Sequence, residues 1–76
     1  MRTDKYIQGF DERLLIAIKN TGLTQREIER RAGLKGKSNM YRYIAEHKMP
    51  CAYVIVRLAG VLNVSTDWLL GLRSEP

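Results

Sequence analysis

Apolar residues recur along this chain at spacings of three and four positions, the period of an amphipathic α-helix. The first such face is formed by Leu14, Leu15, Ala17 and Ile18. We predict that helix 1 starts at Asp11 as its N-cap, ends near residue 20 or 21, and exits through a left-handed Gly22. Phe10 and Leu15 are expected to form a hydrophobic staple across the cap.

The second helix is marked by a capping box. In this motif the Thr24 hydroxyl and the Glu27 carboxylate satisfy backbone donors at a helix start. Ile28 and Ala32 are four positions apart and are predicted to face inward. Gly33 then breaks the helix, so we expect helix 2 to end at about Ala32.

The third helix is predicted from about Lys37 to Glu46. Its inward face is expected to consist of Met40, Tyr43 and Ile44. Gly36 and Ser38 are alternative caps for its start. The choice matters, because a shift of one position rotates a helix by about 100° and exchanges its buried and exposed faces.

The fourth helix follows Pro50 and Cys51 and runs to Leu62, with Asn63 in the exit position. Its core stripe is predicted to be Ala52, Ile55, Leu58, Ala59 and Leu62. Only one residue between 51 and 62, Arg57, is charged, and a helix that is apolar all round is usually buried on more than one side. Tyr53, Val54 and Val61 lie off the predicted stripe. They are either scattered exposed apolar residues or a contact surface for a second copy or a further domain.

A short fifth helix is predicted from Thr66 to Leu70, with Ser65 as its N-cap and Gly71 as its end. The chain shows no internal repeat, low-complexity tract or β-alternating segment. We therefore predict an all-α domain of five helices.

Length and composition limit the function classes. A chain of 76 residues with 45% hydrophobic residues forms one small globular domain. No apolar run approaches the roughly 20 residues of a membrane span, and the N-terminus lacks the apolar region of an export signal. The single cysteine, Cys51, has no internal disulfide partner. We expect a cytoplasmic protein without a membrane association.

The positive charge is concentrated in one segment. Residues 26–48 hold seven basic and three acidic side chains, whereas the other 53 residues hold six basic and five acidic ones. An excess of four positive charges in one segment is typical of a surface that neutralises phosphates. The alternative is a solvated helix face on which Glu27 and Glu29 pair with the neighbouring arginines.

Taken in order, these segments resemble the Cro/CI-type (lambda-repressor-like, XRE) helix-turn-helix family, and most of all the DNA-binding domains of phage repressors. The similarity covers about residues 10–71. It is carried by Gly22-Leu23-Thr24-Gln25, Gly33-Leu34, residues 37–44, Pro50, Leu58-Ala59 and the block from Leu62 to Gly71. The resemblance implies an N-terminal arm at 1–9, a five-helix DNA-binding bundle at 10–71 with its helix-turn-helix in helices 2 and 3, and a tail or linker start at 72–76.

This chain departs from the family pattern at two places. The path from Gly33 to the first core residue of helix 3, Met40, takes seven steps, where the family usually takes six. After helix 3 the family commonly has asparagine-glycine or glutamate-glycine. This chain has Ala45-Glu46 at that place. Both departures affect the ends of helix 3.

The resemblance also implies roles for individual residues. In such motifs the N-terminal part of the second helix of the pair enters the major groove, while the first lies across the backbone. The positions that match base-reading residues are Lys37, Ser38, Tyr41 and Arg42. Gln25 matches the phosphate-holding position, and the further phosphate candidates are Lys35, Asn39, His47 and Lys48. For His47, a solvated loop histidine is an equal alternative.

The function predicted from these observations is that of a sequence-specific transcriptional regulator, expected to be a phage or bacterial repressor. Its expected partners are a palindromic double-stranded DNA operator and a second copy of the chain. The alternative is a protein-interaction module, such as an antitoxin or adaptor built on the same bundle. We predict no enzymatic activity, cofactor or metal, because Gly36-Lys37-Ser38 lacks the rest of a phosphate loop and His47 with Cys51 cannot complete a zinc site.

Overall fold

The computed structural model describes residues 6–34 and 40–76. In these residues the chain forms five helices and no strand. They are α1 (Phe10–Thr21), α2 (Gln25–Ala32), α3 (Met40–Ile44), α4 (Ala52–Leu62) and α5 (Thr66–Leu69). The all-α prediction is therefore confirmed for the described part of the chain. None of these helices is long and apolar enough to cross a lipid bilayer.

The core lies where α1 packs against α3, α4 and α5, and α2 packs against α4. Its largest fully buried side chains are Phe10, Leu14, Ile28, Met40, Leu58, Leu69 and Val54. Each helix contributes at least one of them, so the apolar stripes converge on one shared core.

Helix α1 begins earlier than predicted. Its N-cap is Gly9, which has a positive φ of 82°, and Asp11 lies in the first turn instead of capping it. The predicted staple is also wrong, since Phe10 is fully buried whereas Leu15 is 45% exposed. Including Phe10 in the helix extends the buried stripe, because Phe10 and Leu14 are four positions apart.

The described part of α3 is shorter than the predicted helix. It ends at Ile44 where the prediction had Glu46, and it begins at Met40. Lys37, the predicted first residue, lies outside the described residues. Helix α5 likewise ends at Leu69, one residue before the predicted Leu70.

The buried stripe of α4 differs from the predicted one. Val54 is only 1% exposed and belongs to the core, whereas Ala52 is exposed. The prediction that Val54 belongs to an outward contact face is therefore wrong. Helix α4 ends at Leu62 and Asn63 follows in the exit position, as predicted, with a left-handed conformation.

Arg13 ties the first helix to the last. Its Nε donates to the backbone oxygen of Leu69 at 2.9 Å, and its Nη2 donates to that of Gln8 at 3.3 Å. A Cβ atom built on Gly9 would come within 2.9 Å of Arg13 Nη1. Glycine at position 9 thus permits both the left-handed cap and the close approach of the guanidinium group.

Candidate nucleic-acid interface

Helix α2 begins at an exposed, well-capped N-terminus. The Thr24 hydroxyl accepts a hydrogen bond from the Glu27 amide at 3.1 Å, which confirms the hydroxyl half of the predicted capping box. Gln25 is the first residue of the helix, and its side chain is exposed. Free amides and the positive end of the helix dipole make this an end that attracts anions.

The Glu27 carboxylate binds two arginines of its own helix. Its Oε2 lies 2.6 Å from Arg30 Nη2 and 2.7 Å from Arg31 Nε. The hydrogen bonds from Arg31 and then Arg30 lower the pKa of Glu27 from its ordinary value of 4.5. The alternative in which acidic side chains pair with neighbouring arginines is thus confirmed for Glu27. The pairing still leaves one net positive charge on two guanidinium groups whose side chains are largely exposed.

The described residues fix which side of α3 faces outward. Met40 and Tyr43 are buried and Ile44 packs against the core, so the predicted inward face is confirmed. Tyr41 is 63% exposed. Arg42 is half-buried, and its Nε lies 3.9 Å from Glu46 Oε1. Tyr41 and Arg42 therefore face away from the core, as predicted.

Four of the predicted DNA contacts lie outside the described residues. They are the base-reading candidates Lys37 and Ser38 and the phosphate candidates Lys35 and Asn39. The residues that flank this segment are described. Leu34 donates its amide to the backbone oxygen of Glu29 at 2.9 Å. Met40 donates its amide to the carboxylate Oε2 of the same Glu29 at 2.8 Å.

The sequence predicts pairing of Glu29 with neighbouring arginines, whereas its carboxylate contacts α3. Glu29 and Met40 are 11 positions apart, and their contact depends on how α2 and α3 are placed. No local sequence pattern reports that placement.

The chain turns sharply after α3. Lys48 donates its amide to the backbone oxygen of Arg42 at 3.0 Å, and His47 adopts a positive φ of 54°. The side chains of both residues are exposed. His47 Nε2 lies 3.6 Å from Asp11 Oδ2, and the His47 ring stacks on the Tyr6 ring at 4.6 Å. His47 is therefore exposed, as the alternative expected, but it is held in place by α1 and the segment before it.

Tyr6 connects the N-terminal segment to the end of α3. Its hydroxyl donates to the backbone oxygen of Tyr43 at 2.7 Å. Burial, with a smaller contribution from the nearby Asp11 carboxylate, raises the pKa of Tyr6 from 10.0 to about 12. At neutral pH the hydroxyl is protonated and donates this bond.

Helix α4 presents an exposed apolar strip that only partly matches the predicted contact face. Tyr53 is 60% exposed, and the guanidinium carbon of Arg57 lies 5.1 Å from the centre of its ring. Val61 is partly buried against the core. Val56, which lies outside the predicted contact face, is 62% exposed. The strip is therefore centred on Tyr53 and Val56.

Similarity to a curated protein supports the helix-turn-helix expected of this chain. The chain is 33% identical over 60 residues to the HTH-type transcriptional regulator ImmR of Bacillus subtilis (strain 168). The aligned part covers 79% of this chain and 46% of the relative, so the chain spans about half the length of the curated relative it matches. The similarity supports a regulator-like helix-turn-helix domain. No protein-family model matches the chain, and no solved structure matches it.

Proposed function

We propose that this chain is the DNA-binding domain of a sequence-specific transcriptional regulator of the Cro/CI type, with α3 in the major groove. The observation that carries the proposal is the orientation of α3. Its core side is anchored by Met40 and Tyr43, and this leaves Tyr41 and Arg42 on the outward side. In a helix-turn-helix that outward side reads the bases.

Arg42 is the principal base-reading residue in this proposal. A guanidinium group can donate two parallel hydrogen bonds to the O6 and N7 atoms of guanine, and such a pair contributes about 1–3 kcal/mol of discrimination. Tyr41 contacts a thymine methyl group or a phosphate. Lys37 and Ser38, at the preceding positions of the predicted helix, complete the base-reading set.

The phosphate contacts position the domain without reading sequence. Gln25 binds a phosphate at the N-terminus of α2, supported by the helix dipole. Lys48 and His47 follow α3 on an exposed turn, and the two further phosphate contacts are Lys35 and Asn39, which lie outside the described residues. The excess of positive charge at residues 26–48 favours this assignment.

A palindromic operator would require two copies of the domain. Two recognition helices must lie about 34 Å apart to enter successive major grooves. We assign the contact between copies to the exposed strip of α4, with Tyr53 and Val56 at its centre and Val61 at its edge. Burying an exposed apolar strip in a dimer is favourable, whereas burying a charged surface carries a desolvation cost.

The relative is named a transcriptional regulator, and this favours a regulatory role in a bacterial or phage cytoplasm. Within that class we propose a repressor. A repressor needs only to occupy its operator, so the binding domain alone carries the essential step.

The proposal is tested by replacing Arg42 and Lys48 separately with alanine. Binding is measured at several salt concentrations on a duplex selected for binding and on a random duplex. Arg42→Ala should abolish the preference for the selected duplex. Lys48→Ala should weaken both duplexes alike and reduce the salt dependence by about one unit of slope. An Arg42→Ala variant that keeps the full preference contradicts the assignment.

The second candidate is a protein-interaction module such as an antitoxin or adaptor. It is favoured by the exposed apolar residues of α1, Leu15 and Ile16, which have no role in the DNA-binding proposal. The same titrations separate the two functions. A pure interaction module would bind both duplexes equally and lose little when Arg42 is replaced.

A further inference from the structure

One residue of α2 is bonded to both ends of the segment that leads to α3. Its backbone oxygen accepts from the Leu34 amide, just after the turn that closes α2. Its carboxylate accepts from the Met40 amide, the first described residue of α3. Glu29 therefore bonds both residues that flank positions 35–39, Leu34 and Met40.

The bond to Met40 is of a strong kind. The acceptor is a carboxylate, and hydrogen bonds to ionised groups are shorter and stronger than neutral ones. The donor is the amide of Met40, the first described residue of α3, and the dipole of a helix favours a negative charge towards its N-terminal end. The contact is partly buried, so solvent and salt screen it less than a surface pair.

Met40 is held at two points as a result. Its side chain is fully buried in the core, and its amide is bonded to α2. The buried side chains of Met40 and Tyr43 set which side of α3 faces the core. The amide bond adds a direct contact to α2 at the residue next to Tyr41, and so narrows the angle between α3 and α2 further.

This chain has a particular need for such a bond. Seven steps separate Gly33 from Met40, and each additional residue in a connection increases the number of positions that the following helix can adopt. A bond from α2 to the first described residue of α3 sets the position of α3 independently of that length.

We propose that Glu29 is a positioning residue for DNA recognition, which sets the angle at which α3 presents Tyr41 and Arg42 to the bases without touching them itself. This inference rests on the proposed function and extends it. A side chain on α2, the helix that lies across the DNA backbone, would thereby control what the recognition helix reads.

The test compares Glu29→Ala, Glu29→Gln and a control, Glu12→Ala. The control removes the same charge from an exposed position in the first turn of α1. Two quantities are measured for each variant: the amide hydrogen exchange rate of Met40 in the free protein, and the ratio of the Kd values for a random and a selected duplex.

Glu29→Ala should accelerate Met40 exchange by about tenfold or more, because the amide loses its acceptor. It should also lower the ratio of Kd values by about tenfold, because Arg42 no longer meets guanine at the right angle. Glu29→Gln keeps an oxygen acceptor at the same reach and should restore most of both quantities. Glu12→Ala should change neither.

Unchanged Met40 exchange in Glu29→Ala would overturn the proposal without any reference to DNA. Faster exchange with full discrimination would overturn the positioning role alone. A wild-type protein that does not discriminate between duplexes would refute the proposed function, while the exchange rates would still report on the bond. If Glu29→Ala does not fold, loss of discrimination in a folded Glu29→Gln that retains slow Met40 exchange would also contradict the proposal.

Discussion

Replacing Glu46 with glutamine should increase the affinity of the domain for DNA. Glu46 Oε1 lies 3.9 Å from Arg42 Nε, so the carboxylate competes with DNA for the guanidinium group. At this distance the Coulomb attraction is about 1 kcal/mol in water. The side chains of Arg42 and Glu46 are 36% and 44% exposed, and exposed pairs typically contribute about 0.2–1 kcal/mol.

A bidentate contact with guanine contributes about 1–3 kcal/mol, which exceeds the contribution of the pair with Glu46. The Arg42–Glu46 pair therefore breaks when Arg42 binds DNA. Glu46→Gln removes the cost of breaking this pair, and it also removes one negative charge near the phosphates. The expected gain is at most about 1 kcal/mol, or roughly a fivefold lower Kd. The gain should diminish as salt is added, because exposed charges are screened.

The assay is a binding titration on the selected duplex at low and at high salt, with Glu12→Gln as the matched control. Both variants lose one negative charge, but Glu12 lies in the first turn of α1. An equal gain in both variants would show that only the net charge matters. Weaker binding by Glu46→Gln would refute the placement of Arg42 at the bases.

The remaining predictions concern the stability of the fold. Val54→Ala should lower the free energy of unfolding by about 1.5–3 kcal/mol, because the side chain is buried, whereas Val56→Ala on the exposed strip should change it by less than about 0.5 kcal/mol. The lowered pKa of Glu27 stabilises the folded state above pH 4.5, and this stability is lost as the pH falls through the folded-state pKa, so Glu27→Gln should flatten the decline in stability below pH 4.5. The raised pKa of Tyr6 destabilises the folded state as the pH rises from 10.0 towards 12, so Tyr6→Phe should remove that decline while costing about 1 kcal/mol at neutral pH through the lost bond to Tyr43.

All three are measured by denaturant unfolding, at neutral pH for the valines and across the stated pH ranges for the other two. Equal losses in the two valine variants would contradict the assignment of Val54 to the core. An unchanged acid limb in Glu27→Gln, or an unchanged alkaline limb in Tyr6→Phe, would contradict the corresponding contact.

Most helix ends could be predicted because their signals are local. The hydroxyl groups of Thr24 and Ser65 each accept a hydrogen bond from the backbone amide three residues ahead. Gly22 and Gly33 each end a helix in the left-handed conformation. Such caps act over three or four residues, so a short window of sequence contains them.

The start of α1 could not be predicted from local signals alone. Asp11 is a good capping residue by type, but the helix gains more by including Phe10 in the core. The burial of a large aromatic side chain outweighs a cap worth about 1 kcal/mol. Gly9 then becomes the N-cap, and it has no side chain from which a capping role could be predicted.

The orientation of α4 was missed for a different reason. Nearly every position of this helix is apolar, so its sequence offers several stripes of similar quality. Its partners α1, α2 and α5 select the stripe that contains Val54 and leave Ala52 and Val56 outside. Tertiary packing decides this choice, and the periodicity of one helix does not contain it.

Some features of the candidate interface could likewise be predicted from local sequence, and others could not. The inward face of α3 and the outward position of Tyr41 follow from helical spacing, and the structure agrees with both. The contacts of Glu29 with Met40 and of His47 with Tyr6 and Asp11 join elements that are distant in sequence. They appear only once the helices are placed.

The most direct test of DNA recognition is selection of bound sequences from a pool of random duplexes by the wild-type chain. If α3 reads bases, repeated rounds should converge on one consensus that contains a guanine for Arg42, and a second inverted copy of it should appear if two chains bind together. A pool that stays random after the same number of rounds, from a folded protein that retains DNA, would contradict sequence-specific recognition.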